Sequence, residues 1–403
     1  MFAIVGGIYR ELCMHPRWNQ YFGSGGRAAA ALAALGVPVT LYSYADGLAR
    51  STFESMAALD PIQLALTDIP ESPGFHYIHG LSVPVIKGLS ISHPSIHVDA
   101  EHVLRFGMIE GEGVVSARRA VYDPQNARNP RPFHENGSKS EELALILNRH
   151  EAGLLLGERS SDATQMARTL AERNHAQIVV IKQGPMGALV LDRGRISEIP
   201  AYGTQRVWKI GSGDQFAAQF AVGWMHMGLN PHDAADRASR STAYYCEHHG
   251  SFPSEELLVA FQPAPLIVGE RWRRGERPTV YLAGPFFNLA QLWLVEQART
   301  ALMEMHLKVF SPYHDVGRGS AEDVVELDLQ GIRDCDVLLA LGDGLDAGTI
   351  YEIGYARAIG RPVVMYSECE SIENRKMMQG SDCILTDDFV SAIYRTVWVA
   401  SHG

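Results

Sequence analysis

Residues 210–225, IGSGDQFAAQFAVGWM, and residues 340–356, ALGDGLDAGTIYEIGYA, decide the fold of this chain. In each stretch a glycine-rich turn leads into a helix and places a carboxylate, Asp214 or Asp346, at the helix start. Such turns follow the strands of parallel α/β sheets, where ligands bind beyond the carboxyl ends of the strands. The sequence therefore predicts two active sites in one polypeptide.

Strand and helix patterns alternate on both sides of a segment that breaks the pattern. Residues 262–277 combine prolines with a basic cluster and show no amphipathic period, which is typical of a linker. We therefore predict an N-terminal domain over 1–261 and a smaller C-terminal domain over 278–403. The alternation favours an α/β class with two doubly wound, mostly parallel sheets. Within the first domain we predict a helix over 140–157, SEELALILNRHEAGLLLG.

Composition excludes several classes of function. A net charge of −11 disfavours a nucleic-acid partner, and five cysteines without a CxxC pattern indicate neither a disulfide framework nor a structural zinc site. No apolar run approaches the ~18 residues of a membrane span, and the N-terminus lacks the pattern of a signal peptide. We expect a cytoplasmic protein that acts on small molecules, with neither a nucleic-acid nor a membrane partner.

The first turn has the chemistry of a phosphate site. Gly211, Ser212 and Gly213 expose backbone N–H groups at the positive end of a helix, where an anion binds. Asp214 would lie beside that anion and accept the proton of an attacking hydroxyl. The alternative for Asp214 is a helix cap after a flexible turn.

The wider pattern over about residues 1–260 resembles the ribokinase-like carbohydrate kinases of the PfkB family. Tyr122-Asp123-Pro124-Gln125 with Arg128, Asn148-x-x-Glu151 and residues 210–216 are similar to three family motifs, in the family's order. The resemblance implies a ribokinase-like fold, ATP and Mg²⁺ as cofactors, and Asp214 as catalytic base. It also implies a nucleotide site that includes Gly184 and Gly187, and Glu151 as an indirect magnesium residue.

The chain departs from this family at several positions. Trp208-Lys209 replaces the usual Asp-Thr, which alters the flank of the nucleotide pocket. Glu11 is nearest to the usual sugar-binding Asp. Gly25 and Gly26 belong to a glycine-rich segment that either binds substrate or is a plain loop before a helix. Arg27 stands where a sugar-binding Asn is common; it suggests either an anionic acceptor or a structural role.

The second turn places two carboxylates six residues apart, Asp346 and Glu352. Both are expected at the carboxyl edge of the sheet, together with the end of the strand TVYLAG. The alternative for Glu352 is a capping box, because Thr349-x-x-Glu352 has the S/T-x-x-E spacing.

Residues 278–400 resemble the nucleoside 2-deoxyribosyltransferases and related nucleotide N-glycosidases. YLAGPF, with Tyr281, Gly284 and Phe286, is similar to the family's opening strand and loop. The resemblance places Glu352 as nucleophile and implies roles for Asp334 or Asp336 and for Asp346 and Gly348. It implies no cofactor for this domain. Asn374 is a possible counterpart of an Asn that the family contributes from a neighbouring subunit, which would require a homo-oligomer.

This resemblance implies cleavage of a glycosidic C1′–N bond. A carboxylate beneath C1′ stabilises the oxocarbenium-like state and can trap the sugar. We expect the helix N-terminus to keep Glu352 ionised near neutral pH, with Asp336 or Asp346 as the second carboxylic acid. Asp346 would repel a 5′-phosphate, which favours a nucleoside over a nucleotide.

The leading hypothesis is a bifunctional enzyme of nucleoside metabolism. One domain would cleave or transfer the sugar of a (deoxy)nucleoside, and the other would phosphorylate a sugar or nucleoside with ATP. One alternative makes the kinase-like domain an inactive nucleotide sensor that regulates the glycosidase. Another makes the chain a nucleotide-degrading defence effector.

Overall fold

The chain forms two compact units in the computed structural model, which describes residues 2–88, 92–126, 129–157 and 162–401. The units are Met1–Pro265 and Leu266–Gly403, so their boundary falls within residues 262–277. Arg128, part of the first predicted kinase motif, lies outside the described residues.

The first unit alternates strands with helices along its length. Its strands are β1 (Phe2–Val5), β2 (Arg10–Cys13), β3 (Trp18–Tyr21), β4 (Val39–Ala45), β5 (Ile62–Asp68), β6 (Gly74–Tyr77), β7 (Val85–Lys87), β8 (Ile96–Phe106), β9 (Gly113–Asp123), β10 (Lys139–Asn148), β11 (Ile178–Lys182), β12 (Ala188–Asp192) and β13 (Arg195–Ile199). Its helices are α1 (Gly23–Ala33), α2 (Gly47–Ala57), α3 (Arg149–Leu156), α4 (Ala163–Asn174), α5 (Ser212–Ala221), α6 (Pro231–Glu247) and α7 (Glu255–Ala260).

Nine strands form the main sheet, in the order β13-β12-β11-β10-β9-β8-β1-β4-β5. Pairing is parallel from β11 to β5 and antiparallel from β11 to β13. Helices cover both faces: side chains of α1, α2, α5 and α6 join one buried cluster, and those of α3 and α4 join another. Within β1, Phe2 and Ile4 belong to the first cluster, whereas Ala3 and Val5 belong to the second. The predicted doubly wound architecture is confirmed.

A second, four-stranded sheet has the order β3-β2-β6-β7. Its strand β2 is antiparallel to β3 and parallel to β6. Glu11, on β2, is buried. Because Glu11 bonds to groups at the start of α1, this small sheet borders the carboxyl edge of the main sheet.

The predicted helix over 140–157 is wrong in its first half. Residues Lys139–Asn148 form strand β10, and only Arg149–Leu156 is helical. The run from Leu143 to Leu147 is at most 2% exposed, because β10 lies between β9 and β11 with helices on both sides. A strand buried on both faces is apolar at consecutive positions, so its sequence lacks the alternation that distinguishes strands from helices.

The second unit is a smaller α/β domain. Its elements are α8 (Glu270–Arg273), β14 (Thr279–Ala283), α9 (Leu289–Glu304), β15 (Lys308–Phe310), α10 (Ala321–Asp334), β16 (Val337–Leu341), α11 (Ala347–Ala358), β17 (Val363–Tyr366), α12 (Lys376–Gly380), β18 (Ile384–Thr386) and α13 (Phe389–Ser401). The sheet is parallel throughout, in the order β15-β14-β16-β17-β18. Counted within the unit this order is 2-1-3-4-5, the flavodoxin-like arrangement.

No helix in the described ranges is long and apolar enough to span a bilayer.

Candidate active sites

Asp214 lies in the first turn of α5, after the turn that the sequence predicts. Gly211 precedes the helix in a left-handed conformation, with φ of 75°. Arg27 Nε donates to Asp214 Oδ2 at 3.3 Å, and Gln125 Nε2 donates to Asp214 Oδ1. Both carboxylate oxygens of the predicted base therefore already hold protein hydrogen bonds.

Arg27 is fully buried between carboxylates and aromatic rings. Besides Asp214, its guanidinium donates to Glu11, which also accepts from the backbone N–H of Gly23 at 3.2 Å. The guanidinium carbon lies 5.0 Å from the Phe22 ring centre and 5.8 Å from that of Tyr245. A Cβ on Gly211 would lie 1.7 Å from Arg27 Nε, so only glycine fits there. Arg27 is thus neutralised by protein carboxylates, which removes the reason to expect an anionic acceptor.

A second ion pair lies beside the start of α5. Lys182 Nζ, at the end of β11, donates to the buried Asp123 Oδ2 at 2.6 Å. Burial raises the pKa of Asp123, against the attraction of Lys182. Lys209 Nζ donates to Ser212 Oγ at 3.1 Å, and a Cβ on Gly213 would lie 3.4 Å from Lys182 Nζ. Two lysines therefore lie close to the predicted phosphate turn.

Asn148 and Glu151, both predicted at the cofactor site, cap helix α3. Glu151 N donates to Asn148 Oδ1 and Asn148 N donates to Glu151 Oε2, each at 2.9 Å. Glu151 is near enough that its charge raises the pKa of Asp123. Among the residues that the structure describes, no group of three or more His, Cys, Asp or Glu side chains could hold a metal ion. Mg²⁺ usually needs only one or two carboxylates besides water and substrate phosphates, and Glu151 can supply one.

Three predicted glycines occupy crowded positions, and a fourth, Gly184, has a positive φ of 57°. A Cβ on Gly25 would lie 2.4 Å from Gly6 O, and one on Gly26 would lie 2.3 Å from the Phe53 ring. Gly184 begins a short turn after β11. Gly187 has a φ of 86°, and a Cβ there would lie 2.0 Å from Ile199 O. Packing and turn geometry thus account for these glycines, whatever ligand lies nearby.

Tyr9 and Glu110 are two buried residues near this site that sequence reasoning missed. Tyr9 OH donates to Glu110 Oε2 at 2.7 Å, and Ile109 N donates to the same oxygen at 3.1 Å. Burial raises the pKa of Glu110 to about 7. Both residues follow main-sheet strands, β1 and β8, in loops without periodicity, so no pattern in the sequence marked them.

Trp208, from the altered flank, packs in an aromatic cluster. Its ring centre lies 4.9 Å from that of Trp18 on β3 and 4.1 Å from that of His249. Burial lowers the pKa of the adjacent Lys209. The cluster joins the small sheet to the segment before α5.

In the second unit, Glu352 lies on α11, and its carboxylate contacts Tyr281 on β14. Tyr281 OH donates to Glu352 Oε1 at 2.5 Å. The helix begins at Ala347 with Asp346 as its N-cap, and Asp346 Oδ2 accepts from Thr349 N at 2.9 Å. Glu352 is therefore in the second turn, and its interpretation as a capping-box residue is wrong. Asp346 is at the same edge of the sheet, engaged in the cap.

Glu352 is less acidic than the sequence predicts. Burial raises its pKa to about 7, and the charges of Asp328 and Asp346 act in the same direction, against the hydrogen bond from Tyr281. The helix N-terminus was expected to keep Glu352 ionised near neutral pH; desolvation acts against that dipole in the second turn and leaves both protonation states populated near pH 7.

Asp328, on α10, is a site residue that sequence reasoning missed. Its charge acts on both Glu352 and Tyr281, and burial raises its own pKa. Within the described part of the chain, Asp328 Oδ1 is buried and has no hydrogen-bond partner. The available signal was periodicity: Asp328 lies three and four residues before the buried Gly331 and Ile332, on the inward stripe of the helix.

Asp336 does not belong to this site. It precedes β16, and its carboxylate accepts from Thr279 N at 2.8 Å and from Arg271 Nη1 at 2.7 Å. The five residues of β16 separate it from the carboxyl edge by roughly 16 Å. The predicted role of Asp336 as second acid is therefore wrong. The alternative, Asp334, ends α10 and accepts from Gln330 at 2.9 Å.

Gly284, Phe286 and Gly348 lie around the end of β14 and the start of α11, whereas Asn374 precedes α12. A Cβ on Gly284 would lie 3.0 Å from Leu341 Cβ, and one on Gly348 would lie 3.1 Å from Asp346 Oδ2. Phe286 packs 5.3 Å from the Tyr313 ring. Asn374 is exposed and donates to Glu370 Oε2 at 2.9 Å, without a bond to Glu352.

Two family models match separate parts of the chain. The model for nucleoside 2-deoxyribosyltransferase matches residues 280–387, and the model for the pfkB family carbohydrate kinase matches residues 142–257. Their order along the chain is the predicted one. Both families are families of enzymes. No curated protein matches the chain.

Solved structures resemble the first unit. Ribokinase from Thermotoga maritima is 18% identical, with a TM-score of 0.50, over 64% of this chain and 98% of that one. A pyrophosphate-dependent kinase in the ribokinase family, complexed with a pyrophosphate analog and myo-inositol, is 16% identical, with a TM-score of 0.48, over 64% and 100%. Phosphofructokinase-2 from Escherichia coli, in complex with substrates and products, is 12% identical, with a TM-score of 0.47, over 64% and 97%. At 18% identity the first match shows the fold alone, and that fold is ribokinase-like.

Proposed function

We propose that the second unit breaks the N-glycosidic bond of a (deoxy)nucleoside, with Glu352 as nucleophile. The sugar then passes either to water or to a second base. One observation carries this proposal: Glu352 is held by Tyr281 at the carboxyl edge of the sheet, beside the partnerless carboxylate oxygen of Asp328. The family match over 280–387 supports it.

The three side chains divide the chemistry between them. Ionised Glu352 attacks C1′ as the C1′–N bond breaks, and the bonding electrons leave with the base. Asp328, whose raised pKa favours its protonated form, gives a proton to the departing base. Water or a second base then attacks C1′, gives its proton to the Asp328 carboxylate and releases Glu352. Tyr281, whose pKa burial and the Glu352 charge raise, stays protonated and orients the nucleophile.

The preferred substrate of this site is a nucleoside without phosphate. Three acidic side chains lie together in this site: Asp328, Asp346 and Glu352. The charges of the first two raise the pKa of Glu352, which shows that negative charge is unfavourable here, and a further anion would be unfavourable for the same reason. We also propose that the unit assembles as a homo-oligomer, with Asn374 of a neighbouring copy completing each site.

We propose that the first unit transfers a phosphoryl group from ATP to a sugar or nucleoside hydroxyl. Asp214 would accept the hydroxyl proton, and the turn Gly211–Gly213 with Lys182 would hold the transferred group. Glu151 would hold Mg²⁺ indirectly, through water, and the ion would offset phosphate charge when bound. Gly184 and Gly187 would border the nucleotide. The sugar released by one unit would then be a substrate of the other.

The test is a product assay by mass spectrometry on nucleosides and nucleotides, with and without ATP. Glu352→Gln should abolish base release, and Asp214→Asn should abolish only phosphoryl transfer. Glu373→Gln, at an exposed ion pair with Lys376, is the matched control and should retain both activities. Full base release by Glu352→Gln would refute the glycosidic mechanism. Preferential breakdown of nucleotides would favour a nucleotide-degrading effector.

A specific observation favours a second candidate for the first unit. Arg27 and Gln125 donate to the two oxygens of Asp214, so a substrate hydroxyl has to compete with two protein donors for this carboxylate. The unit would then bind a nucleotide and regulate the glycosidic site. Calorimetry with ATP, together with base release measured with and without ATP, separates the candidates. Binding that changes base release without ATP consumption supports the sensor, and ATP consumption with any acceptor refutes it.

A further inference from the structure

Residues 343–346 form a short turn between strand β16 and helix α11, which carries the nucleophile. Gly342 N still bonds to Tyr366 O on β17 at 2.8 Å, and α11 begins directly after the turn. The backbone of Gly344 and Leu345 is left-handed, with φ of 85° and 48°. Glycine adopts this conformation readily, but it is unfavourable for a bulky residue such as leucine. The turn that sets the start of α11 is therefore strained at Leu345.

The Asp343 carboxylate ties this turn to the loop after β17. Asp343 Oδ1 accepts from Ser367 Oγ and from Cys369 N, each at 2.9 Å. Its Oδ2 accepts from Glu368 N at 3.0 Å. Hydrogen bonds to an ionised acceptor are stronger than bonds between neutral groups. Asp343 therefore fixes the first residue of the turn to three consecutive residues of the neighbouring loop.

A second carboxylate of that loop holds the next residue of the turn. Glu370 Oε1 accepts from Gly344 N at 2.9 Å, and its Oε2 accepts from Asn374 Nδ2 at 2.9 Å. Leu345 packs against the buried cluster that contains Tyr281. A residue in a sparsely populated conformation persists only where its surroundings hold it there. The bonds of Asp343 and Glu370 to the turn, here called the brace, provide that support.

We propose that Asp343 is a positioning residue for the glycosidic reaction, with Glu370 as its weaker counterpart. The brace keeps Leu345 left-handed, which fixes where α11 begins and thus where Glu352 meets Tyr281 OH. That contact is one hydrogen bond of 2.5 Å, so a small displacement of α11 is enough to break it. The proposal rests on the proposed function of the second unit, and Asp343 acts without touching the substrate.

The experiment measures base release from adenosine and 2′-deoxyadenosine by the full chain carrying Asp343→Ala. The kcat should fall about tenfold, because Leu345 relaxes in most molecules and displaces the nucleophile. The KM should change by less than about threefold, because Glu352 acts mainly in the transition state. Glu373→Ala is the matched control: it removes an acidic side chain of the same loop that pairs with Lys376 at the surface, and should leave kcat unchanged.

The strain at Leu345 allows a rescue that distinguishes positioning from other roles. Adding Leu345→Gly to Asp343→Ala should restore kcat to within about threefold of the unaltered protein, because glycine is left-handed without the brace. Leu345→Gly alone should keep its kcat while its melting temperature falls, because it loses packing against the core. If Asp343 bound substrate or only stabilised the fold, this rescue would fail.

Two further variants keep the test valid if Asp343→Ala does not fold. Asp343→Asn retains an oxygen for the two bonds at Oδ1, and Glu370→Ala removes one bond to the turn. Each should lower kcat by about threefold. Hydrogen exchange over residues 347–353 tests the brace without any reaction: exchange should be faster in the Asp343 and Glu370 variants and unchanged in Glu373→Ala.

Three results would overturn the role of Asp343: folded brace variants with the kcat of the control, a loss of kcat that Leu345→Gly does not restore, or unchanged hydrogen exchange at the start of α11. Failure of the proposed function looks different, because Glu352→Gln would then retain base release or no nucleoside would be cleaved. Base release that Glu352→Gln abolishes and Asp343→Ala leaves intact would overturn this inference alone.

Discussion

Tyr281 tunes the Glu352 nucleophile through one short hydrogen bond. The bond lowers the pKa of Glu352, in opposition to burial. Tyr281→Phe should therefore raise that pKa above about 7 and shift the acidic limb of the base-release pH profile upward by about one unit. Activity should fall about fivefold at pH 7, where the ionised fraction drops from about one half to about one tenth, and should recover at higher pH.

Tyr355→Phe is the control for this profile, because its hydroxyl bonds to Arg333 rather than to Glu352. An equal loss at every pH in Tyr281→Phe would contradict a role in tuning the pKa.

Asp328 has two separable effects on the same reaction. As proton donor, it matters most for bases that leave poorly, so Asp328→Asn should slow release of adenine by about 100-fold or more. Release of an already cationic base, as in 7-methylguanosine, should change far less. The alkaline limb should be lost as well, because it reports deprotonation of the donor. Rates measured on both substrates across pH test this.

Asp334→Asn, at the exposed end of the same helix, should behave as the unaltered protein. Equal losses on adenosine and 7-methylguanosine would count against Asp328 as proton donor.

Glu352 should also reduce stability in a pH-dependent way. Its folded pKa of about 7 exceeds its ordinary value of 4.5, so the folded unit retains this proton more tightly than the unfolded chain does. The stabilisation that comes from this tightly held proton is fully present below pH ~4.3 and is lost as pH rises through about 7. Glu352→Gln should then stabilise the second unit by about 2 kcal/mol at pH 8 and little at pH 4.

Thermal melts at the two pH values test this prediction. A stabilisation that does not depend on pH would show that the side chain acts by packing alone.

At the scale of single residues, sequence patterns predicted some of the candidate site residues and missed others. Glu352 and Tyr281 follow from the strand ends and the D-x-G-x-x-x-E spacing, and the structure joins them by a hydrogen bond. Asp336 was misassigned by family resemblance: it precedes β16, and the rule that ligands bind beyond the carboxyl ends of parallel strands places it at the opposite edge. Glu110 lies in an aperiodic loop and reaches its partner, Tyr9, across 101 residues.

At the scale of elements, the start of α5 requires glycine at position 211. Gly211→Ala would combine a positive φ with a clash against Arg27, and should destabilise the first unit by about 3 kcal/mol. Gly213→Ala, whose Cβ would make an ordinary contact, should be neutral or stabilising. Melting curves of both variants give the measurement. Similar losses in the two variants would show that Arg27 does not restrict Gly211.

Strand β10 shows why element type was the weaker part of the prediction. The main parallel sheet and its helices follow from the alternation of apolar segments, whereas β10 is apolar at five consecutive positions, as a buried helix can be. β10 is a strand because it pairs with β9 and β11. Local periodicity does not reveal pairing between segments that are distant in sequence.

At the scale of the molecule, exposed apolar side chains are frequent in the second unit. They lie on the loop after β14 and on helices that carry the site, and include Phe287, Leu289, Val325, Leu327 and Tyr351. Where such side chains form one contiguous patch, they are typical of a subunit contact, and we predict that these do. Leu327→Lys should lower the oligomer mass in sedimentation and reduce base release. Leu59→Lys, on the first unit and 89% exposed, should change neither. A single-chain mass for the unaltered protein would contradict assembly.

The contact between Trp18 and Trp208 gives the first unit an optical signal of its own. The two indoles lie 4.9 Å apart with planes tilted by 50°, a geometry in which their excited states couple. Their circular dichroism should show a couplet in the far ultraviolet that disappears in Trp18→Phe. Because Trp18 belongs to the small sheet and Trp208 precedes the Lys209 flank, any ligand that moves one against the other changes this couplet. Occupancy of this unit can then be followed by spectroscopy without a label, even when no reaction occurs.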